Sequence, residues 1–137
     1  RARRTCELGG LGASMTVMPD LLEWNYGDYE GITTPEIHRT VPDWSVFTHG
    51  CPNGEDAQAV QKRCEAAIRI ALEAPGDGDV ALFAHGHLLR SLAGTWLGLG
   101  AMGGRLLTLS TGSICILGFE RGNRAIVRWN APANGRF

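Results

Sequence analysis

GDVALFAHGHLLR, residues 78–90, is the stretch on which the reading of this chain turns. Residues 80–84 form a short apolar run, bounded by Gly78 and Asp79 before it and by His85-Gly86-His87 after it. That length and composition predict a strand buried on both faces of a parallel or mixed sheet. From Leu88 the apolar period changes, and Leu88, Leu89, Leu92, Ala93, Trp96 and Leu97 mark one face of a helix. A strand that delivers a histidine straight into a helix N-terminus is where open α/β sheets place ligands. The unpaired N–H groups of that terminus favour an anion. The plain alternative is that His85 and His87 are ordinary loop histidines at a βα turn.

Upstream lies the clearest helix. Asp56 stands as its N-cap, and Val60, Cys64, Ala67, Ile68, Ala71 and Leu72 form one amphipathic stripe. On its wet side Lys62–Glu65, Glu65–Arg69 and Arg69–Glu73 are spaced to pair. Residues 43–55 read as a long connection, of the kind that often sits over a site. Thr34 and Pro35 mark a short helix start, Thr34 as the cap. Residues 21–31, LLEWNYGDYEG, are aromatic, acidic and closed by glycine, which suits an ordered loop. Residues 15–18 read as a short strand, and residues 1–8 as a helix stopped by Gly9 and Gly10.

Downstream, 106–109, 113–119 and 125–129 are strand-like, the last two joined by a turn at Arg121-Gly122-Asn123. Strands interleaved with helices, followed by an antiparallel pair, indicate an α/β sheet with a mixed edge, in a single domain over residues 1–137.

Composition narrows the class. Thirteen Lys and Arg against fourteen Asp and Glu give a net charge of −1, with no basic surface for nucleic acid or anionic lipid. No apolar run approaches the roughly 20 residues of a membrane span, and no leader is recognisable. The four cysteines form no metal spacing, and Cys64 and Cys115 are expected as small buried hydrophobes. The expected setting is reduced and cytoplasmic.

Three separated pieces then converge. Arg1-Ala2-x-x-Thr5 opens the chain, Glu23 lies in L-x-E-W-x-Y-G-x-Y-E-G, and His85 lies in F-A-H-G-H-x-x-R. In order and spacing they resemble the histidine phosphatase superfamily, with its phosphoglycerate-mutase-like fold. The resemblance implies a three-layer α/β/α architecture with a mixed sheet. It also implies that Arg1 clamps a phosphoryl oxygen, that His85 is the second active-site histidine, and that Glu23 donates the proton. The family's nucleophilic histidine belongs to an R-H-G segment on the first strand, which these residues do not contain. The chain therefore reads as the C-terminal portion of something longer, lacking its first strand. On that reading the fragment alone is inactive and poorly stable or self-associating. Ala84 stands where the family usually has serine.

By the same resemblance the substrate is a small phosphorylated molecule, and neither a metal nor a cofactor is required. His87 orients its neighbours or touches the substrate; with His85 it could chelate zinc, but no third ligand is suggested. Trp24, Tyr26, Tyr29 and Trp44 are candidates to line a substrate pocket, with at least two of them expected to pack under the loop instead. Each residue has an ordinary rival role: Arg1 as a solvated helix-end charge, Glu23 as a loop acid. The short connection between Glu23 and His85 favours a phosphatase. Phosphoglycerate mutase and a non-catalytic phosphate-ester-binding remnant are the alternatives.

Overall fold

The computed structural model describes residues 1–133. Five helices and one hairpin carry the regular structure: α1 (Ala2–Leu8), α2 (Thr34–His38), α3 (Val46–His49), α4 (Ala57–Leu72), α5 (Gly86–Trp96), β1 (Ser113–Glu120) and β2 (Asn123–Pro132). Short 3-10 turns stand at Gly12–Ser14, Pro19–Leu21, Gly27–Tyr29 and Ala101–Leu106.

The core forms where α4 meets α5. Val60, Cys64, Ala67 and Ile68 of α4 pack with Leu88, Leu92 and Trp96 of α5, and Trp24, Val46 and Phe47 close the cluster. Asp56 caps α4 as its sequence predicts, its carboxylate accepting the Ala59 N–H at 2.8 Å. Leu72 leaves the stripe and is half exposed. On the wet face Arg69 pairs with Glu73 at 3.3 Å. Glu65 is engaged there by Gln61 at 2.9 Å, not by Lys62 or Arg69.

Two boundaries move. The cap of α2 is Thr33, not Thr34, because Glu36 reaches back to accept both the Thr33 N–H (2.8 Å) and its hydroxyl (2.6 Å). The connection at 43–55 contains α3, whose Val46 and Phe47 are buried. Cys115 is only partly buried, and its Sγ accepts the Asn130 N–H at 3.2 Å.

The hairpin forms where expected. Glu120 pairs with Asn123 across a two-residue turn, Arg121 and Gly122, both at positive φ (50° and 84°). Two central residues of that kind match the twist of the flanking strands. Trp96 ties α5 to β2 through its indole N–H and the Ala125 carbonyl, 3.0 Å.

The remaining strands are a correction. Residues 15–18, 80–84 and 106–109 join no ladder among the described residues, where the sheet is β1 and β2 alone. Met18 (φ −120°, ψ 119°) and Leu107 (φ −116°, ψ 127°) are extended. An apolar run selects an extended backbone, but a strand exists only through the hydrogen bonds of its partner. Among the described residues no helix is long and apolar enough to cross a membrane.

Candidate active site

The site begins with two loops pressed together. Asp28 donates its N–H to the Pro52 carbonyl (2.9 Å), and Glu55 donates its own to Asn25 (2.9 Å). Gly27, at φ 52°, and Gly54 face each other across this crossing. A Cβ on Gly27 would collide with the Pro52 carbonyl and the Gly54 nitrogen, and one on Gly54 with the Asn25 carbonyl and the Gly27 nitrogen. Only glycine permits so close an approach of two backbones. Beneath it Trp24 is 1% exposed, edge-on to Phe47 and with its indole N–H on the Glu55 carbonyl at 3.0 Å. Trp24 therefore supports the loop from inside and offers a ligand no surface, which corrects its place among the pocket-lining candidates. Tyr29 and Trp44 also pack on each other, ring centroids 5.4 Å apart.

The crossing presents Glu23 to the start of α5. Glu23 Oε1 accepts the Leu88 N–H at 2.9 Å and the N–H of its neighbour Trp24 at 2.9 Å; Oε2 accepts the His87 N–H at 3.2 Å. The N-terminal N–H groups of a helix have no partners of their own, and a carboxylate there also meets the positive end of the helix dipole. His85 is the N-cap of the same helix, extended at φ −130° and ψ 164°, its carbonyl accepting the Leu89 N–H at 2.9 Å. Its half-buried imidazole makes no hydrogen bond among the described residues.

His87 lies inward of it. Its Nδ1 is 2.6 Å from the Tyr26 hydroxyl, and its ring stands edge-on to Tyr26 and Phe47. Burial lowers the pKa of His87, with the Arg90 charge acting in the same direction and Glu23 opposing. Burial also raises the phenol of Tyr26 well above its ordinary value, reinforced by the negative charges of Glu23 and Glu30. The result is a neutral imidazole bonded to a protonated phenol, beside a carboxylate. These groups can hold and pass a proton at the end of a helix.

Glu23, His85, His87 and Tyr26 thus come together around the first turn of α5. Arg1 does not join them: it is the exposed N-cap residue of α1, and its guanidinium contacts none of them. Two open cavities of about 350 Å³ each lie elsewhere, one between α4 and β2 and one at the base of the hairpin. Among the described residues no group of His, Cys, Asp and Glu is arranged to hold a metal ion.

Glu55 and Arg63 carry a role that neither apolar nor charge periodicity indicates. Their ion pair, 2.7 Å at its shortest, holds the Glu23 loop to α4. The available signal is positional: an acid just before the Asp56 cap, and an arginine two helical turns beyond it.

The chain is 42% identical over 126 residues to an acid phosphatase of Mycobacterium tuberculosis, covering 92% of this chain and 62% of that protein. It is 38% identical over 101 residues to sedoheptulose 1,7-bisphosphatase of Saccharomyces cerevisiae, covering 63% of this chain and 37% of that one. The chain thus spans under two thirds of the length of either relative. The solved structure of the Mycobacterium tuberculosis open reading frame Rv3214 superposes with a TM-score of 0.88 at 40% identity, over 96% of this chain and 68% of the other. The fold is accordingly the α/β phosphoglycerate-mutase-like one. Residues 1–132 match the histidine phosphatase superfamily (branch 1), and the chain belongs to that superfamily.

Proposed function

We propose that the protein containing these residues is a phosphatase, hydrolysing small phosphomonoesters through a phosphohistidine. The observation that carries this reading is the seating of the Glu23 carboxylate on the first turn of α5, the helix that His85 caps. A proton-transferring acid and a phosphate-facing imidazole then share one end of one helix. Phosphoryl transfer is chiefly positioning and stabilisation of charge on the phosphoryl oxygens, and these groups supply both.

In the first step a histidine attacks phosphorus and the bond to the ester oxygen breaks. Glu23, which takes up a proton as the phosphate anion enters beside it, gives that proton to the leaving alkoxide. In the second step water attacks phosphorus, Glu23 takes the water's proton, and the nitrogen–phosphorus bond breaks to release phosphate. His85 holds a phosphoryl oxygen, while His87 and Tyr26 border the substrate. The attacking histidine is of the R-H-G type. None of His38, His49, His85 and His87 stands in such a segment, so turnover by the 137 residues alone is not expected.

The higher identity to an acid phosphatase (42%) than to a probable phosphoglycerate mutase of Klebsiella pneumoniae (30%) favours hydrolysis over isomerisation. So does the compact path from Glu23 to His85, which holds the Gly27–Tyr29 turn, α2, α3 and α4. The test is phosphate release by the whole protein from a panel of phosphomonoesters, beside its His85→Ala and Glu23→Gln variants. Release that falls about 100-fold or more in both variants is the expected result. Isomerisation of a phosphoglycerate without release, or turnover indifferent to both substitutions, overturns it.

A further inference from the structure

We propose that Arg63 is a positioning residue for the reaction: with Glu55 it fixes the backbone of Glu23 so that the carboxylate lands on the His87 and Leu88 N–H groups. The inference rests on the reading of Glu23 as the proton donor.

Every donor of Arg63 is committed to this one task. Nε and Nη2 grip the two oxygens of Glu55 at 2.7 and 2.8 Å. Nη1 donates to the Asp20 and Leu22 carbonyls, both at 2.8 Å, and Nη2 reaches the Glu23 carbonyl at 3.5 Å. A guanidinium has five N–H groups, and here each points at an acceptor. Glu55 holds the other side of the same loop. Its Oε2 accepts the Asn25 N–H at 2.8 Å, its carbonyl accepts the Trp24 indole N–H, and its N–H donates to the Asn25 carbonyl. Glu23 is therefore held from both directions along the chain, at residues 20 and 22 before it and 24 and 25 after it.

The pair is 18% and 19% exposed. A pair this buried adds little net stability, because desolvation offsets the attraction, but one unpaired partner would be costly. Its value lies in geometry: a planar fork with every donor used admits one conformation. Lysine keeps the charge but has three donors and no plane, so it cannot reproduce the arrangement. Through this network α4 determines where a carboxylate meets α5.

The test is amide hydrogen exchange on the whole protein, read by NMR, for Arg63→Lys and Arg63→Met, with Glu23→Ala as the calibration of a lost carboxylate. Arg63→Lys is expected to speed exchange of the His87 and Leu88 N–H groups about tenfold, the scale of a lost charge-assisted bond. Exchange at Ala67, Leu92 and Trp96 should stay within about twofold, since global loosening would move them equally. Should Arg63→Met not fold, Arg63→Lys alone decides. Unchanged exchange at His87 and Leu88, or acceleration shared by Leu92 and Trp96, overturns the inference. In the whole protein Arg63→Lys should lower kcat with KM little changed. If the exchange pattern is selective but Glu23→Gln leaves kcat intact, the proton-donor reading fails and the positioning geometry stands.

Discussion

Glu23 Oε1 accepts the Leu88 N–H at 2.9 Å across 65 residues of chain. That contact joins an aromatic loop to a helix whose first turn would otherwise hold unsatisfied donors. Removing the carboxylate leaves the Trp24, His87 and Leu88 N–H groups short of an acceptor. Glu23→Ala is therefore expected to cost about 1–3 kcal/mol in a urea melt. Glu23→Gln, which keeps an accepting oxygen, should cost less.

Stability should also follow the ionisation of His87. Its folded pKa lies below the ordinary value of 6.5, chiefly through burial. Between the folded value and 6.5 the unfolded chain binds more protons, so stability rises with pH there. The contribution is complete above 6.5 and disappears as pH falls through the window to the folded value. His87→Gln should flatten this part of a stability–pH curve measured by denaturation from pH 4 to 8, and an unchanged curve would assign the dependence to other groups.

The phenol of Tyr26 should resist ionisation. Burial and the charges of Glu23 and Glu30 raise it well above the ordinary 10. Ultraviolet difference titration of the chain against Tyr26→Phe should show no phenolate from this residue up to about pH 11. Loss of its 2.6 Å bond to His87 should cost Tyr26→Phe about 1 kcal/mol.

The loop crossing should tolerate no side chain. Gly54→Ala is expected to destabilise by about 1–3 kcal/mol, the usual scale of overpacking, because the opposing atoms are backbone and cannot rotate away. A chemical melt compares it with Gly86→Ala, whose added Cβ would meet nothing within 4 Å.

Cys64, fully buried, has its thiol pushed up to about 12 by burial. It should resist alkylation at pH 8 in the folded chain and react once urea unfolds it, as mass spectrometry would show.

How far the sequence could be read depended on the range of each interaction. Helix α4, its Asp56 cap, the face of α5 and the terminal hairpin follow from local periodicity and turn chemistry, and the structure has them. The strand readings at 15–18, 80–84 and 106–109 depended on partners, which local pattern does not supply. At the site, Glu23 and His85 were picked out by the resemblance of their E-W-x-Y-G and H-G-H frames to the superfamily, and the structure brings both to the first turn of α5. Trp24 sits in the same frame, but burial is decided by Phe47 and Glu55, distant in sequence. Arg63 was hidden for a related reason: it acts on carbonyl oxygens at 20, 22 and 23, and backbone acceptors leave no trace in residue identity.

The crossing of Gly27 and Gly54 also constrains how such a chain can change. Two main chains in contact without side chains form a fixed pivot, so variation at that point is closed to the fold. The freedom to reshape what reaches Glu23 then falls to the span between the two glycines, where α2 and α3 lie with Thr33, Glu36, Pro42 and Asp43 exposed. Lengthening or recolouring that span would alter the surroundings of the carboxylate while leaving its anchorage intact.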